Sequence, residues 1–370
     1  MIDVKEVLME FMRTPAPAGY EKEMSYKMKG YFERFCDEVF IDNVGNCIGK
    51  IDGTDPKAPK IMFIGHMDSV GLVIRHIDED GFAGVSRLGG TEEKVLAGSK
   101  FLVRSEDGQW YPALIGPKAH HVTPPEEKYV VENVNQVYLD LGAGSKKELE
   151  EKGIHIGCPV VYKPEATELM DDKVTGTSVD NRGACAVLVK MAELLHQNRP
   201  VSSVYLVGTV WEEFNLRGAI LAARHIAPDI CISLDVALAG DTPNLKGVFD
   251  VELGKGPCTE LLTFHGRGTL NGVLPCEGLF RLAKEVSGDM GISLQRTVAY
   301  GMLMDSSYVQ LEGKGVATLD MGFPARYTHT PAEVCCVRDI EQLAGLCSGM
   351  AQRVVTFHTH ASNRLFRKCW

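Results

Sequence analysis

The chain has 370 residues, 45% hydrophobic and 24% charged, the composition of a globular protein with room for more than one core. Its formal net charge of -10 argues against nucleic acid as a main partner, because a phosphate footprint is basic. No segment is apolar for long enough to span a membrane, and 11 cysteines with no CxxC pair read as reduced, buried thiols of a cytoplasmic protein.

The N-terminal "MIDVKEVLMEFMRTP" reads as an amphipathic helix rather than a secretory signal. Asp3 and Glu6 have capping-box spacing, and Val4, Val7, Leu8, Phe11 and Met12 recur at helical spacing. A second helix is expected around Glu21–Phe35, followed by the strand-like runs "EVFIDNVGNCIGKID" and "PKIMFIGHMDSVGLVIRHID". From residue 73 to residue 162 the chain changes character. It becomes Gly-rich with short β-like runs, including a hairpin around Asp107 and Gly108 and a short helix "GSKKELEEKG" capped by Ser145 and stopped by Gly153. This predicts an inserted β-rich lid or assembly domain at 73–162, with a discontinuous catalytic domain at 1–72 and 163–370. Beyond the insert, helices and apolar strands alternate, with "SSVYLVGTVW", "DICISLDVA" and "GVATLDMGF" as strands and a final helix around Asp339–Val355. The fold class is therefore α/β, a mixed, mostly parallel sheet covered by helices on both faces. The adjacent Cys335 and Cys336 read as one inward and one outward strand residue.

Metal-competent side chains fall at the ends of the apolar strands. "IMFIGHMD" ends in His66 and Asp68, "YLVGTVWEE" in Glu212 and Glu213, and "ICISLD" in Asp235. Ligand sites of open α/β sheets lie at the carboxyl ends of strands, so the three ends point at one crevice. Two loop residues are candidates to join them: Asp180 in "GTSVDNRGA" and His329 in "ARYTHTPAE". Taken singly, each has a bland alternative: an N-cap for Asp180, a packed histidine for His329, a strand-end turn for Asp235, a solvated loop for the glutamate pair. Together, imidazoles and carboxylates without thiolates suit a zinc-class ion. An aspartate has two oxygens with which to bridge a pair of ions.

These motifs, with "PAPAGYE", "LDLGAGSKKELEEKGIHIGCPV", "SVDNRGA", "EEFNLRGA", "SLDVALAGDTP", "LGKGP" and "RYTHTP", resemble the cocatalytic-metal aminopeptidases of metallopeptidase family forty-two over nearly the whole chain. That family includes tetrahedral and glutamyl aminopeptidases and relatives labelled endoglucanase. The resemblance implies a zinc-exopeptidase-like fold and two divalent metal ions per subunit, zinc or cobalt. It implies His66 and His329 as terminal ligands, Asp180 as the bridge, Glu213 and Asp235 completing the two positions, and Asp68 orienting His66. Glu212 would be the general base, and a cis peptide would follow Asp180. Short peptides would be the substrates, losing their first residue, and dimers would assemble to a homo-oligomeric dodecamer.

The chain departs from the family pattern at Phe214 and Asn215, where relatives usually have Val-Gly, and at "LMDSSY" with Asp305, where they have a "GTDA"-like loop. Phe214, Asn215 and Asp305 are therefore candidate substrate-loop residues. Two other readings compete: a metal-dependent amidase or deacylase on N-acylated small molecules, and a catalytically silent assembly subunit. No HExxH, GxSxG or P-loop is present. His120 and His121, "HTHASN" and the terminal "RLFRKCW" read as surface features.

Overall fold

The computed structural model describes residues 1–266, 272–302 and 304–360. The side chains of "HTHASN" and the whole of "RLFRKCW" lie outside the described residues. The chain opens with α1 (Val4–Met12) and α2 (Lys22–Phe32), then β1 (Glu38–Ile41), β2 (Cys47–Ile51) and β3 (Ile61–His66). Next come β4 (Gly71–Ile77), β5 (Ala83–Leu88), β6 (Lys100–Arg104), β7 (Trp110–Leu114), β8 (Tyr138–Leu139), α3 (Lys146–Glu151) and β9 (Pro159–Tyr162). β10 (Ala166–Glu168) and β11 (Lys173–Gly176) precede α4 (Val179–Gln197), β12 (Val204–Thr209), α5 (Gly218–Ile226) and β13 (Ile230–Leu238). The remainder is β14 (Cys258–Phe264), β15 (Gly272–Val273), α6 (Glu277–Met290), β16 (Gln295–Tyr300), α7 (Ser306–Val309), β17 (Ala317–Arg326), β18 (Glu333–Cys336) and α8 (Val337–His360).

Two sheets organise these elements. The larger has 12 strands with the main path β1-β2-β12-β3-β13-β17-β18-β11-β10. Its centre, β12, β3, β13 and β17, runs parallel, as helix-linked apolar strands must. Its flanks add antiparallel pairs, so the sheet is mixed. Strand alternation sends Phe63, Ile232, Leu234, Leu319 and Met321 to the face covered by α1, α4, α6 and α8. Met62, Ile64, Cys231 and Val309 fill a smaller core on the opposite face, with α5. The second sheet, β7-β6-β9-β4-β5-β8, has its own apolar core built on Leu72, Val85, Phe101, Val103 and Val160.

The cysteine pair differs from the expectation. Cys335 and Cys336 are both buried, because β18 is covered on each face: Cys335 by the main core, Cys336 by Ala239, Leu253 and Val334. The first turn of α4 departs from a regular helix. Asp180 and Asn181 have non-helical backbone angles, and the bond between them is cis. The Asn181 side chain serves both neighbours: Oδ1 accepts from the Ala184 amide at 3.2 Å, and Nδ2 donates to the Leu234 carbonyl of β13 at 2.8 Å. Asn181 thus supplies the cap hydrogen bond that Asp180 would otherwise make.

Candidate metal centre

β3 and β12 end side by side, whereas β13 leaves β3 after Ser233 and runs on beside β17 to Leu238, so Asp235 lies within its strand and not at its end as the sequence suggested. Thr209 of β12 lies opposite His66 of β3. The chain then turns through Trp211–Leu216, where Trp211, Asn215 and Leu216 take positive φ. Asn215 takes left-handed geometry at φ 68, which Asn tolerates better than most residues. The two glutamates therefore belong to the turn after the strand. Asp68 holds that turn: Oδ1 accepts from the Glu212 amide at 3.1 Å and Oδ2 from the Glu213 amide at 3.0 Å. Asn46 anchors it from below, accepting from the Val210 amide and donating to the Gly218 carbonyl, both at 3.0 Å.

Six donor residues converge in two groups, His66–Glu212–Asp235 and Asp180–Glu213–His329. Asp180 spans them: Oδ1 lies 3.1 Å from His66 Nε2, and Oδ2 lies 3.4 Å from His329 Nε2. His66 Nε2 is 3.8 Å from both a Glu212 and an Asp235 carboxylate oxygen. His329 Nε2 is 3.5 Å from Glu213 Oε1. Each imidazole is oriented through Nδ1 by a carbonyl, that of Asp68 at 3.1 Å for His66 and that of Gly90 at 2.9 Å for His329. The Asp68 carboxylate stands farther off, at 3.7 Å.

The electrostatics suit cations. Burial pushes the Glu212 and Asp235 carboxyls well above the usual range, and Glu213 up to about 7, each further raised by neighbouring carboxylates. Burial works against the imidazolium of His66 and His329, but the surrounding carboxylates overcome it, raising His66 and taking His329 to about 10. Burial also opposes ionisation of Asp180, yet its contacts with both imidazoles hold it below the ordinary value. Four buried carboxylates with two imidazoles form an excess of negative charge that protons or metal ions must offset. The donor set, nitrogen and oxygen without sulfur, fits divalent ions of the zinc class.

Phe214 is 45% exposed, with the Arg217 guanidinium 4.6 Å from its ring centroid. Asp305 is buried at the start of α7 and accepts from Thr209 Oγ1 at 2.6 Å. His120 and His121 lie in the 3-10 turn between β7 and β8, outside both donor groups. Sequence reasoning missed two contributors. Glu333 accepts from the Asp180 amide through Oε2 at 2.9 Å and from the His329 amide through Oε1 at 2.7 Å. Gly89 and Gly90, after β5 of the small sheet, back onto the site: a Cβ on Gly89 would meet Glu213 at 3.3 Å, and one on Gly90 would meet His329 Nδ1 at 2.9 Å.

A mixed sheet whose parallel centre gathers imidazoles and carboxylates along its carboxyl edge and in the loops beyond has the layout of an α/β metallohydrolase. The chain belongs to the M42 glutamyl aminopeptidase family, whose profile matches residues 45–346. It is 29% identical to the lysyl aminopeptidase of Pyrococcus furiosus over 357 residues, 94% of this chain and 97% of that one. Among solved structures it is similar to an aminopeptidase from Desulfurococcus kamchatkensis, with a TM-score of 0.87, 31% identity and 94% of each chain covered. It is also similar to the TET1 peptidase of Pyrococcus horikoshii, described as assembling into a tetrahedron or a large octahedral shell. There the TM-score is 0.83 and the identity 26%, over 94% of this chain and 99% of that one. The protein is a metal-dependent aminopeptidase. No helix among the described residues is long and apolar enough to cross a membrane.

Proposed function

We propose that the enzyme releases the first residue of short peptides, with Glu212 as the proton carrier and two divalent ions held by His66, Asp235, Asp180, Glu213 and His329. One observation carries this reading: the two oxygens of Asp180 each meet one imidazole, at 3.1 and 3.4 Å. That leaves His66 with Asp235 on one side, His329 with Glu213 on the other, and Glu212 as the carboxylate in excess. When bound, two such ions acidify water and polarise a peptide carbonyl. Glu212 is buried and desolvated, so its carboxyl holds a proton more readily than an ordinary glutamate. It takes the proton of the attacking water and delivers it to the departing amine. Asp68 fixes both glutamate amides, which keeps Glu212 from swinging away.

The proximity of Glu212 to His66 and Asp235 supports a second reading, in which Glu212 is itself a ligand. A third, deacylation of N-blocked small molecules, uses the same residues but needs no free α-amine. Hydrolysis of aminoacyl amides and their N-acetylated counterparts with zinc, cobalt or manganese separates the last: turnover confined to the blocked series rules out the aminopeptidase reading. We also read the chain as a homo-oligomer built from dimers up to a dodecamer, supported by the assemblies of the similar TET1 peptidase. Sedimentation that returns a monomer at micromolar concentration refutes that reading.

A further inference from the structure

Beneath the metal centre the same sheet face carries a second set of acids that the proposed reaction does not use. Asp235 lies opposite Gly322 of β17, which lies opposite Cys258 of β14. One pleat repeat further down, about 6–7 Å along the strands, the row reads Ser233, Asp320, Glu260. Glu260 and Asp320 are thus direct cross-strand partners, an arrangement in which like charges repel. They are 2% and 1% exposed.

Their hydrogen bonding is incomplete. Among the described residues, neither oxygen of Glu260 has a hydrogen-bond partner, nor does Oδ2 of Asp320. Asp320 Oδ1 accepts from the Ser306 hydroxyl at the start of α7. The Thr263 hydroxyl lies beside the Asp320 carboxylate, and the buried Ser307 hydroxyl and Oδ1 of Asp305 have no hydrogen-bond partner among the described residues. Among the described residues, no lysine, arginine or histidine forms an ion pair with either acid. Burial and mutual repulsion push Glu260 well up, and burial takes Asp320 to about 7. A buried carboxylate with no donor is costly, so such a group either holds its proton or is offset by a cation.

We propose that Glu260 and Asp320 form a further cation site under α7, one that takes a positively charged guest coordinated by oxygen. The available donors are carboxylate and hydroxyl oxygens alone, a set for hard cations such as magnesium, calcium or potassium and unlike the imidazole-containing centre above. The same chemistry accepts an ammonium group, so a second source of the charge is the basic side chain of a substrate's first residue. That source rests on the aminopeptidase reading; the metal source does not.

The test compares zinc-saturated wild type with Glu260→Gln/Asp320→Asn, a pair of near-isosteric changes that remove the charge and keep the shape. In the first arm, each protein is dialysed against magnesium, calcium or potassium chloride and its metal content measured. A hard metal guest is expected to leave one extra ion on the wild type that the variant lacks, with zinc content equal in both. In the second arm, kcat/KM is measured on lysyl and leucyl anilides. An ammonium guest is expected to lower the lysyl-to-leucyl ratio by about tenfold in the variant, with leucyl turnover unchanged. Equal metal content and an equal ratio in the two proteins overturn the proposal and leave a protonated structural pair. Absence of anilide hydrolysis by the wild type removes a substrate's side chain as the source of the charge, while the first arm still decides the site. The single variant Glu260→Gln gives the same two readouts if the double variant does not fold.

Discussion

Glu212 and Glu213 are adjacent in sequence, yet their carboxylates reach different imidazoles, His66 at 3.8 Å and His329 at 3.5 Å. The turn that separates them is set by a single carboxylate, Asp68, which accepts both of their amides. This predicts distinct failures. Glu213→Gln removes a charged donor from the His329 side and is expected to weaken metal binding by at least roughly 10–100-fold, the scale of losing even a group that only supports a ligand. Glu212→Gln is expected to retain both ions and to lose kcat by at least ~100-fold, the contribution of a general base. Metal analysis beside steady-state kinetics reads both. Loss of an ion from Glu212→Gln would establish the ligand reading, and wild-type kcat in that variant would remove the base assignment. Glu333 shows a related economy: one buried carboxylate fixes the backbone of both Asp180 and His329, which are far apart in the sequence.

At the scale of elements, α4 approaches the sheet closely enough to place Asp180 over the strand ends. Gly183 permits this: a Cβ there would lie 2.1 Å from the ring of Phe323 on β17. Phe323 is wholly buried, so its ring has little room to yield. Gly183→Ala is expected to destabilise the fold by about 1–3 kcal/mol through overpacking. Urea unfolding of the metal-free protein checks this, and an unchanged midpoint would mean that the helix shifts freely. Such contacts explain what could and could not be read beforehand. Helices with caps and periodic faces, such as α1 with Asp3 and Glu6, were legible because the signal is local. His66 was legible because an apolar strand announces where it ends, while Asp235 stood out as a carboxylate in an apolar run that continues past it to Leu238. The closing contacts of Glu333, Gly89 and Gly90 were not, because they depend on how the β5 loop and the start of β18 meet the sheet. Burial of both Cys335 and Cys336 likewise follows from a satellite cluster formed by distant segments. The acid pair Glu260 and Asp320 was invisible for the same reason, since only strand register brings the two together.

At the scale of the whole molecule, the proposed metal centre couples stability to pH. Glu213 moves from 4.5 to about 7 on burial, and His329 moves from 6.5 to about 10 as its carboxylate neighbours outweigh burial. Both shifts are upward, so the folded metal-free protein holds protons that the unfolded chain has released. Their stabilisation is complete below the unfolded values and is lost as pH rises, through 4.5 to 7 for Glu213 and 6.5 to 10 for His329. Asp180 shifts downward from 3.8, so its opposing effect is confined to more acidic solution. Metal ions replace those protons, and their binding strengthens as the ligands deprotonate. The chelated protein is therefore expected to lose thermal stability between pH 5 and pH 8, while the zinc-loaded protein keeps it. The difference in Tm between the two forms should widen steadily across that range. Thermal unfolding of both forms at three pH values measures it. A gap that is constant or narrows would mean that protons and metal do not compete for these side chains, and the donor set would then have to be sought elsewhere on the sheet.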